Sequence, residues 1–333
     1  MQNKINQFFS WLVLSALVAC ANANTPLATE LKPLADFKIE TLGNGIYVHH
    51  GQHLDIDTGY QGDICNISFI IGSKGVAVID TGGSLKVGNE LRDAIRQVTS
   101  LPILYVINTH VHPDHIFGNE AFVQDKAVFV GHEKLAKAMQ LRKEAYDKLN
   151  VKLLGDDAKG SETITPTLAV KDTLDLDLGD RILHLTAYPN AHTNTDVSVM
   201  DSKTATLFTG DLLFIDRTPV LEGDIVGLIA AIDQLKTYQA KVVVPGHGRT
   251  AQDSTVKDIT VKDSTVLSPN TAFNNEQRYL NLLLKDIRAG IKSGAGLEKT
   301  MDTAAASEKD KWLLFDIANR RNVNTLYPAL EWE

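Results

Sequence analysis

The sequence predicts an α/β protein folded as one domain, and three observations carry that expectation. Short apolar, β-branched runs at residues 64–71, 76–79, 101–108 and 127–130 alternate with stretches of helical periodicity. Several such runs end on a histidine or an aspartate, which puts those residues on loops at the carboxyl ends of strands. These ends are divided between the two halves of the chain. The 333 residues would allow two domains at roughly 150 residues each. Residues that converge on one site, however, cannot belong to independent halves.

Residues 1–23 read as a targeting segment and stand outside the fold. Lys4 gives a weakly basic start, and residues 8–18 are apolar apart from Ser10 and Ser15. That run is too short to span a bilayer, which takes about 20 apolar residues. Two cleavage signals overlap. Leu17-Val18-Ala19-Cys20 has the form of a bacterial lipobox, in which Cys20 is lipidated and tethers the chain to a membrane. Ala21-Asn22-Ala23 fits the small-x-small pattern of ordinary cleavage. Either route exports the protein, to the periplasm or to its membrane. Residues 24–36, with Pro26 and Pro33, read as a linker, and 37–333 as the folded domain.

Within that domain, residues 46–50 form a first strand and 53–63 a polar hairpin loop, followed by strands 64–71 and 76–79. A helix carries Leu91, Ala94, Ile95 and Val98 on one face, and strand 101–108 leads into the histidine-rich loop. Strand 127–130 and a helix over 133–150, with Leu135, Met139, Leu141 and Tyr146, come next. Residues 167–170, 173–178, 182–187 and 197–200 are strand-like, and 206–211 is a strand ending on Asp211. A helix covers 228–235, and a strand starting at Val242 ends on His247. Residues 253–266 repeat DSTVK, DITVK, DSTV, too few copies for a solenoid, and read as an inserted loop or hairpin. From Asn274 the chain is helical, with a stripe of Leu280, Leu283, Ile287 and Ile291. A last helix carries Trp312, Leu313, Phe315 and Ile317.

Composition excludes some functions. A net charge of −8 gives no electrostatic footprint for nucleic acid or for an anionic membrane surface. The two cysteines are Cys20 and Cys65. Cys20 is removed or lipidated, so Cys65 has no disulfide partner; it reads as a small buried apolar residue.

The chemistry is concentrated in Thr109-His110-Val111-His112-Pro113-Asp114-His115. Ten histidines are spread over the chain, and three of them fall within the six positions 110–115, with a carboxylate between. Neutral imidazoles with a carboxylate suit zinc, and iron or manganese less specifically. Pro113 is expected to block helix formation in the loop, unlike the helical His-Glu-x-x-His arrangement. The second half supplies His192, Asp211 and His247. Seven ligands suffice for two divalent metals: His110, His112 and His192 for one, Asp114, His115 and His247 for the other, and Asp211 between them. Such a pair about 3.5–4 Å apart shares a hydroxide and lowers the pKa of water to roughly 7. Asp114, beside that water, is the carboxylate placed to orient it and take its proton. Asp80 and Asp196 are candidates to receive hydrogen bonds from liganding imidazoles, with Asp196 equally suited to a turn. Among the other histidines, His184 is expected to pack, and His49, His50, His53 and His132 to be exposed, with His53 a candidate for the pocket rim.

Asp80, the His-x-His-x-Asp-His loop, His192, Asp211 and Gly-His247-Gly occur in the order found in the metallo-β-lactamase superfamily, and residues 40–250 resemble it. The resemblance implies a four-layer αββα sandwich of two mixed β-sheets, here with a C-terminal helical tail over 274–333, and metals at one edge. Asp211 resembles the bridging aspartate of glyoxalase II-like and lactonase-like members. Ile116-Phe117-Gly118-Asn119 and Ala191 depart from the glyoxalase II pattern. Residues 44–70, the Gly131-His132-Glu133-Lys134-Leu135 segment and the closing residues 322–333 are similar to exported zinc hydrolases of quinoprotein relay systems.

The expectation is therefore an exported hydrolase with two zinc ions per chain. A metal-bridging hydroxide would cleave an ester, thioester, lactone or amide in a small-molecule substrate, and specificity would come from loop 53–63 and the C-terminal helices. One alternative is a mononuclear iron persulfide dioxygenase, against which the presence of His115 and His247 argues. Another is a periplasmic metal- or ligand-binding accessory of a quinoprotein dehydrogenase system, which seven retained ligands disfavour.

Overall fold

The strand-like runs assemble into two mixed sheets in the computed structural model, which describes residues 37–56, 59–256 and 266–333. The first sheet has seven strands in chain order: β1 (Glu40–Gly43), β2 (Ile46–His49), β3 (Ile67–Ile71), β4 (Val76–Ile79), β5 (Ile103–Ile107), β6 (Val128–His132) and β7 (Leu168–Val170). The β1–β4 meander is antiparallel, and β4 to β7 run parallel. Parallel neighbours need crossovers. These contain α1 (Leu85–Val98), a single turn α2 (Pro113–Ile116) and α3 (Leu135–Leu154).

The second sheet is built from β8 (Thr173–Asp177), β9 (Ile182–Ala187), β10 (Val197–Asp201), β11 (Thr206–Phe214), β12 (Val242–His247) and β13 (Ala251–Gln252), in reverse spatial order from β13 to β8. It is antiparallel except where β11 and β12 run parallel, connected through α4 (Ile225–Thr237). Helices α5 (Pro269–Ser293), α6 (Leu297–Thr303) and α7 (Phe315–Leu330) follow.

Three apolar layers explain the architecture. Ile46, Val48, Ile70, Ile79, Ile107 and Val130 of the first sheet meet Leu183, Leu185, Val197, Val199, Phe208 and Val244 of the second. The outer face of the first sheet packs on Val87, Leu91 and Ile95 of α1, and that of the second on α4, α5 and α7. Each such buried side chain contributes about 1.5–3 kcal/mol, and the sum is an αββα sandwich with C-terminal helices.

The structure moves several sequence expectations. In α1 the buried stripe starts at Val87 and Gly88, where the backbone of Gly118 approaches too closely for any Cβ, and ends at Ile95. Val98 is therefore exposed. Leu141 of α3 also faces outward. Trp312 and Leu313 precede α7 rather than lying on it, and Ile317 is on its outer side. Pro113 does not prevent a helix. It occupies the first helical position, where its missing N–H is no loss and its φ is already helical. β11 continues past Asp211 to Phe214. His184 lies on the outer face of the second sheet, exposed and paired with Asp175 at 2.6 Å. His49 is buried against Asp63 at 2.6 Å, and His132 is buried with Nδ1 accepting from Lys134 N. Most of the 253–266 repeat lies outside the described residues.

The C-terminal helices are tied down by a buried carboxylate. Glu308 accepts from Arg278 Nε and Nη2 at 3.0 and 2.9 Å, Lys311 Nζ at 2.7 Å and Trp312 Nε1 at 3.1 Å. Burial raises its pKa, but these donors outweigh burial and take it down to about 2. The folded value lies below the unfolded one of 4.5, so this stabilisation is complete above the unfolded pKa and is lost as pH falls toward the folded one. Glu308→Gln is expected to cost roughly 1–3 kcal/mol at pH 7, and clearly less at pH 3, as measured by urea unfolding at the two pH values.

Candidate metal centre

The candidate ligands lie along one edge of the sandwich, all but Asp211 at or beyond the end of a strand. His110, His112, Asp114 and His115 follow β5, the last two in the turn of α2. His192 lies between β9 and β10, Asp211 within β11, and His247 at the end of β12. The sheets are joined at this edge. Asn66 N donates to Gly246 O at 2.7 Å, and Asn66 Nδ2 to Pro245 O and Gly248 O at 2.8 and 2.7 Å. Val197 N donates to Thr109 O at 2.8 Å.

The seven side chains form two groups that share Asp211. In the first, His112 Nδ1 lies 3.0 Å from both His110 Nε2 and His192 Nε2. Tetrahedral coordination at metal–nitrogen distances of about 2.0–2.1 Å separates ligand nitrogens by roughly 3.3 Å, so little adjustment is needed. In the second, Asp114 Oδ2 is 3.5 Å from His115 Nε2 and 3.4 Å from His247 Nε2. Asp211 Oδ1 is 3.2 Å from His115 Nε2. Its Oδ2 is 3.3 Å from His192, 3.4 Å from His247 and 3.7 Å from His110.

In four of the five rings a hydrogen bond on the far side decides which nitrogen faces inward, while His192 Nδ1 is buried without a partner. His115 Nδ1 donates to Asp80 Oδ2 at 2.8 Å, His247 Nδ1 to Ile64 O at 2.7 Å, and His110 Nδ1 to Thr109 Oγ1 at 3.1 Å. His112 is turned the other way: its Nε2 donates to Glu222, leaving Nδ1 for the centre. These are the outer contacts that orient metal-binding imidazoles. Asp80 also accepts from Thr109 N at 2.8 Å and Thr109 Oγ1 at 2.7 Å. Asp196 does not reach an imidazole. Its carboxylate accepts from Thr193 N and Oγ1 at 2.8 and 2.6 Å, so it shapes the His192 turn. Burial lifts Asp196 to about 7.

The donor set fits metal ions. His115 Nε2 and Asp211 Oδ1 are buried without a hydrogen-bond partner, which is costly unless an ion completes them. Burial opposes charge on His115, yet Asp211, Asp114 and Asp80 outweigh it and raise its pKa. Three carboxylates around one imidazole demand a cation, and a metal can take the place of that proton. Burial holds His192 neutral, down to about 3, and lowers His110 as well, the protonation state a ligand needs. Cys65 is buried, and its Sγ donates to Asp114 O at 2.8 Å. Burial raises its thiol pKa, which suits packing rather than nucleophilic attack. His53 is exposed on its loop.

Residues 60–247 match the family model of the metallo-beta-lactamase superfamily. The chain belongs to that superfamily. A linear primary-alkylsulfatase from Pseudomonas sp. (strain ATCC 19151) is 26% identical over 212 residues, 53% of this chain and 40% of that protein. The chain thus matches less than half the length of that curated relative. Among solved structures, a metallo-beta-lactamase from Pontibacter korlensis superposes with a TM-score of 0.53 at 22% identity, over 66% of this chain and 95% of that one. An inverting sec-alkylsulfatase from Pseudomonas sp. superposes with a TM-score of 0.66 at 16% identity, over 88% of this chain and 50% of the other. An overlap of that extent includes part of α5–α7.

Glu222 and Asn66 had no signal in the sequence. Glu222 is one of two acids in the bend before α4, and Asn66 is one polar residue in an apolar run just before β3. The glycines around His247 did carry one. A Cβ on Gly246 would lie 1.9 Å from Asp211 Oδ1, and Gly248 has φ +96°. Gly246→Ala is therefore expected to displace the Asp211 carboxylate while the sheets stay folded. Metal analysis should show reduced metal content at unchanged far-UV circular dichroism.

Proposed function

We propose that this metallo-beta-lactamase superfamily hydrolase holds two zinc ions and cleaves an ester, thioester, lactone or amide of a small molecule. The observation that carries the reading is Asp211, whose two oxygens reach both groups of ligands from one carboxylate. Two zinc ions at His110, His112, His192 and at Asp114, His115, His247 would supply a water acidified to a pKa of about 7 and an electrophile for the scissile group. Sulfate esters join the substrate class because the sequence relative and the longer structural overlap are alkylsulfatases.

The protein's own groups set up the rest. Asp114 stands between His115 and His247 with its side chain 15% exposed, at the mouth of the centre. Burial raises its pKa, but His115 and His247 outweigh burial and keep it ionised. It is thereby able to orient a water and accept its proton. Asp80 keeps His115 pointing inward, and Glu222 does the same for His112. The full second group of ligands argues against a mononuclear iron enzyme and against a binding accessory.

The proposed setting is export, through cleavage within residues 17–23, with Cys20 as a lipid tether. A working association with a quinoprotein dehydrogenase system rests on the resemblance of residues 44–70 and 322–333. If Cys20 is the tether, Cys20→Ser should move the protein from the membrane fraction to the soluble periplasm.

Elemental analysis of purified protein should return close to two zinc ions per chain, and one iron without zinc would refute the proposal. Asp211→Ser should retain the three-histidine metal and lose affinity at the second site. Its kcat/KM on the best substrate of a chromogenic panel should fall at least about hundredfold. Two tightly held metals with normal turnover would make Asp211 a structural residue.

A further inference from the structure

His192 is the one ring of the centre that no hydrogen bond turns. Its Nδ1 is buried without a partner, whereas the other four rings are oriented from the far side. Packing has to supply what a polar contact supplies elsewhere, since a metal-binding imidazole is normally oriented from behind. Three rings lie against His192. Those of His110 and His112, each with centroids 4.8 Å away, are candidate ligands themselves. The third is Phe214, tilted at 55° with centroids 5.8 Å apart. Phe214 also stacks on His247, nearly parallel at 6° and 5.0 Å between centroids. One aromatic side chain thus touches a histidine in each group of ligands.

Phe214 needs an anchor of its own. β10 pairs with β11 only from Thr206 to Phe208, and the β11–β12 ladder is irregular between Gly210 and Phe214. Phe214, Ile215, Ala272 and Trp312 also line a cleft of about 400 Å³, so close packing does not fix the ring on every side. The anchor comes from α5. Phe214 N donates to Glu276 Oε2 at 3.1 Å, and among the described residues this is the carboxyl's one hydrogen bond. Glu276 is wholly buried, and its Oε1 has no partner. A carboxyl in such a place is costly. Burial pushes its pKa well above the usual range, but a backbone N–H requires only an acceptor oxygen.

We propose that Glu276 is a positioning residue of the metal centre: by holding Phe214 it orients the rings of His192 and His247. This role rests on the two-metal reading and adds a control of metal affinity from α5, which lies outside residues 60–247.

The test uses the full chain with Glu276→Leu, Glu276→Gln and Phe214→Leu. Glu308→Gln, which loosens the C-terminal helices without touching Phe214, is the control. Zinc affinity is measured by chelator competition, and the visible spectrum of the cobalt(II) form reports ligand geometry. Glu276→Leu and Phe214→Leu should each weaken metal binding roughly ten- to hundredfold and alter the cobalt spectrum. Glu276→Gln keeps an acceptor oxygen and should restore both, and Glu308→Gln should leave the spectrum unchanged. A normal spectrum and affinity in Glu276→Leu would overturn the proposal. So would a Glu276→Gln no better than Glu276→Leu, or an equal change in Glu308→Gln. If Glu276→Leu does not fold, Phe214→Leu decides: an altered spectrum supports the role, and a normal one overturns it. A wild-type chain that takes up neither metal refutes the metal reading instead. The ring signals of His192 and His247 in the metal-free chain, followed by NMR, then decide. Signals displaced by Glu276→Leu support the role of Glu276, and unmoved signals overturn it.

Discussion

Asp80 is the constraint on which the centre depends. It sits at the end of β4 with φ +54°, a conformation that costs most side chains about 1–2 kcal/mol and an aspartate less. In that position one carboxylate does three things. It accepts from the backbone of Thr109, which fixes the start of the histidine loop. It accepts from His115 Nδ1, which turns Nε2 inward. Through the Thr109 hydroxyl it also steadies His110. One buried acid therefore sets a ring in each group of ligands. Because the inner faces of the sheets are apolar, this polar network is confined to the edge.

The second constraint is the join between the sheets. The first sheet brings four ligands and the second three, so their spacing depends on how the sheets meet. Asn66 spans that gap and holds Pro245 to Gly248 by three hydrogen bonds. On the other side the β11–β12 ladder is irregular between Gly210 and Phe214, and the Asp211 carboxylate lies in that irregular stretch. Glu276 of α5 supplies an acceptor at 3.1 Å to Phe214 N, where the ladder does not. Burial pushes the Glu276 carboxyl pKa well above the usual range.

The C-terminal helices lie beyond the family-matched segment, and α7 makes side-chain contacts to Asp55, Pro219 and Leu221. Arg321 pairs with both oxygens of Asp55, and its neighbour Asn322 holds residues 219–221, next to Glu222.

Much of the fold was legible because burial leaves a periodic trace. Residues 76–79 and 182–187 match their strands to the residue, and 110–115 announced a ligand loop by histidine density alone. Local rules misled where a position obeyed two of them. Pro113 reads as a helix breaker but is also a good first helical residue. Asp196 reads equally as a hydrogen-bond acceptor for a ligand and as a turn former, and the geometry chose the turn. His184 reads as core from its strand, yet strand periodicity does not say which face is covered. What the sequence by itself determined was the set of candidate ligands, since residue type and order decide what could bind a metal. Only the tertiary structure decided how they are held and what flanks them. Asn66, Glu222 and Asn322 act on partners that are 101 to 182 residues away, and such contacts leave no periodicity, spacing or composition to read.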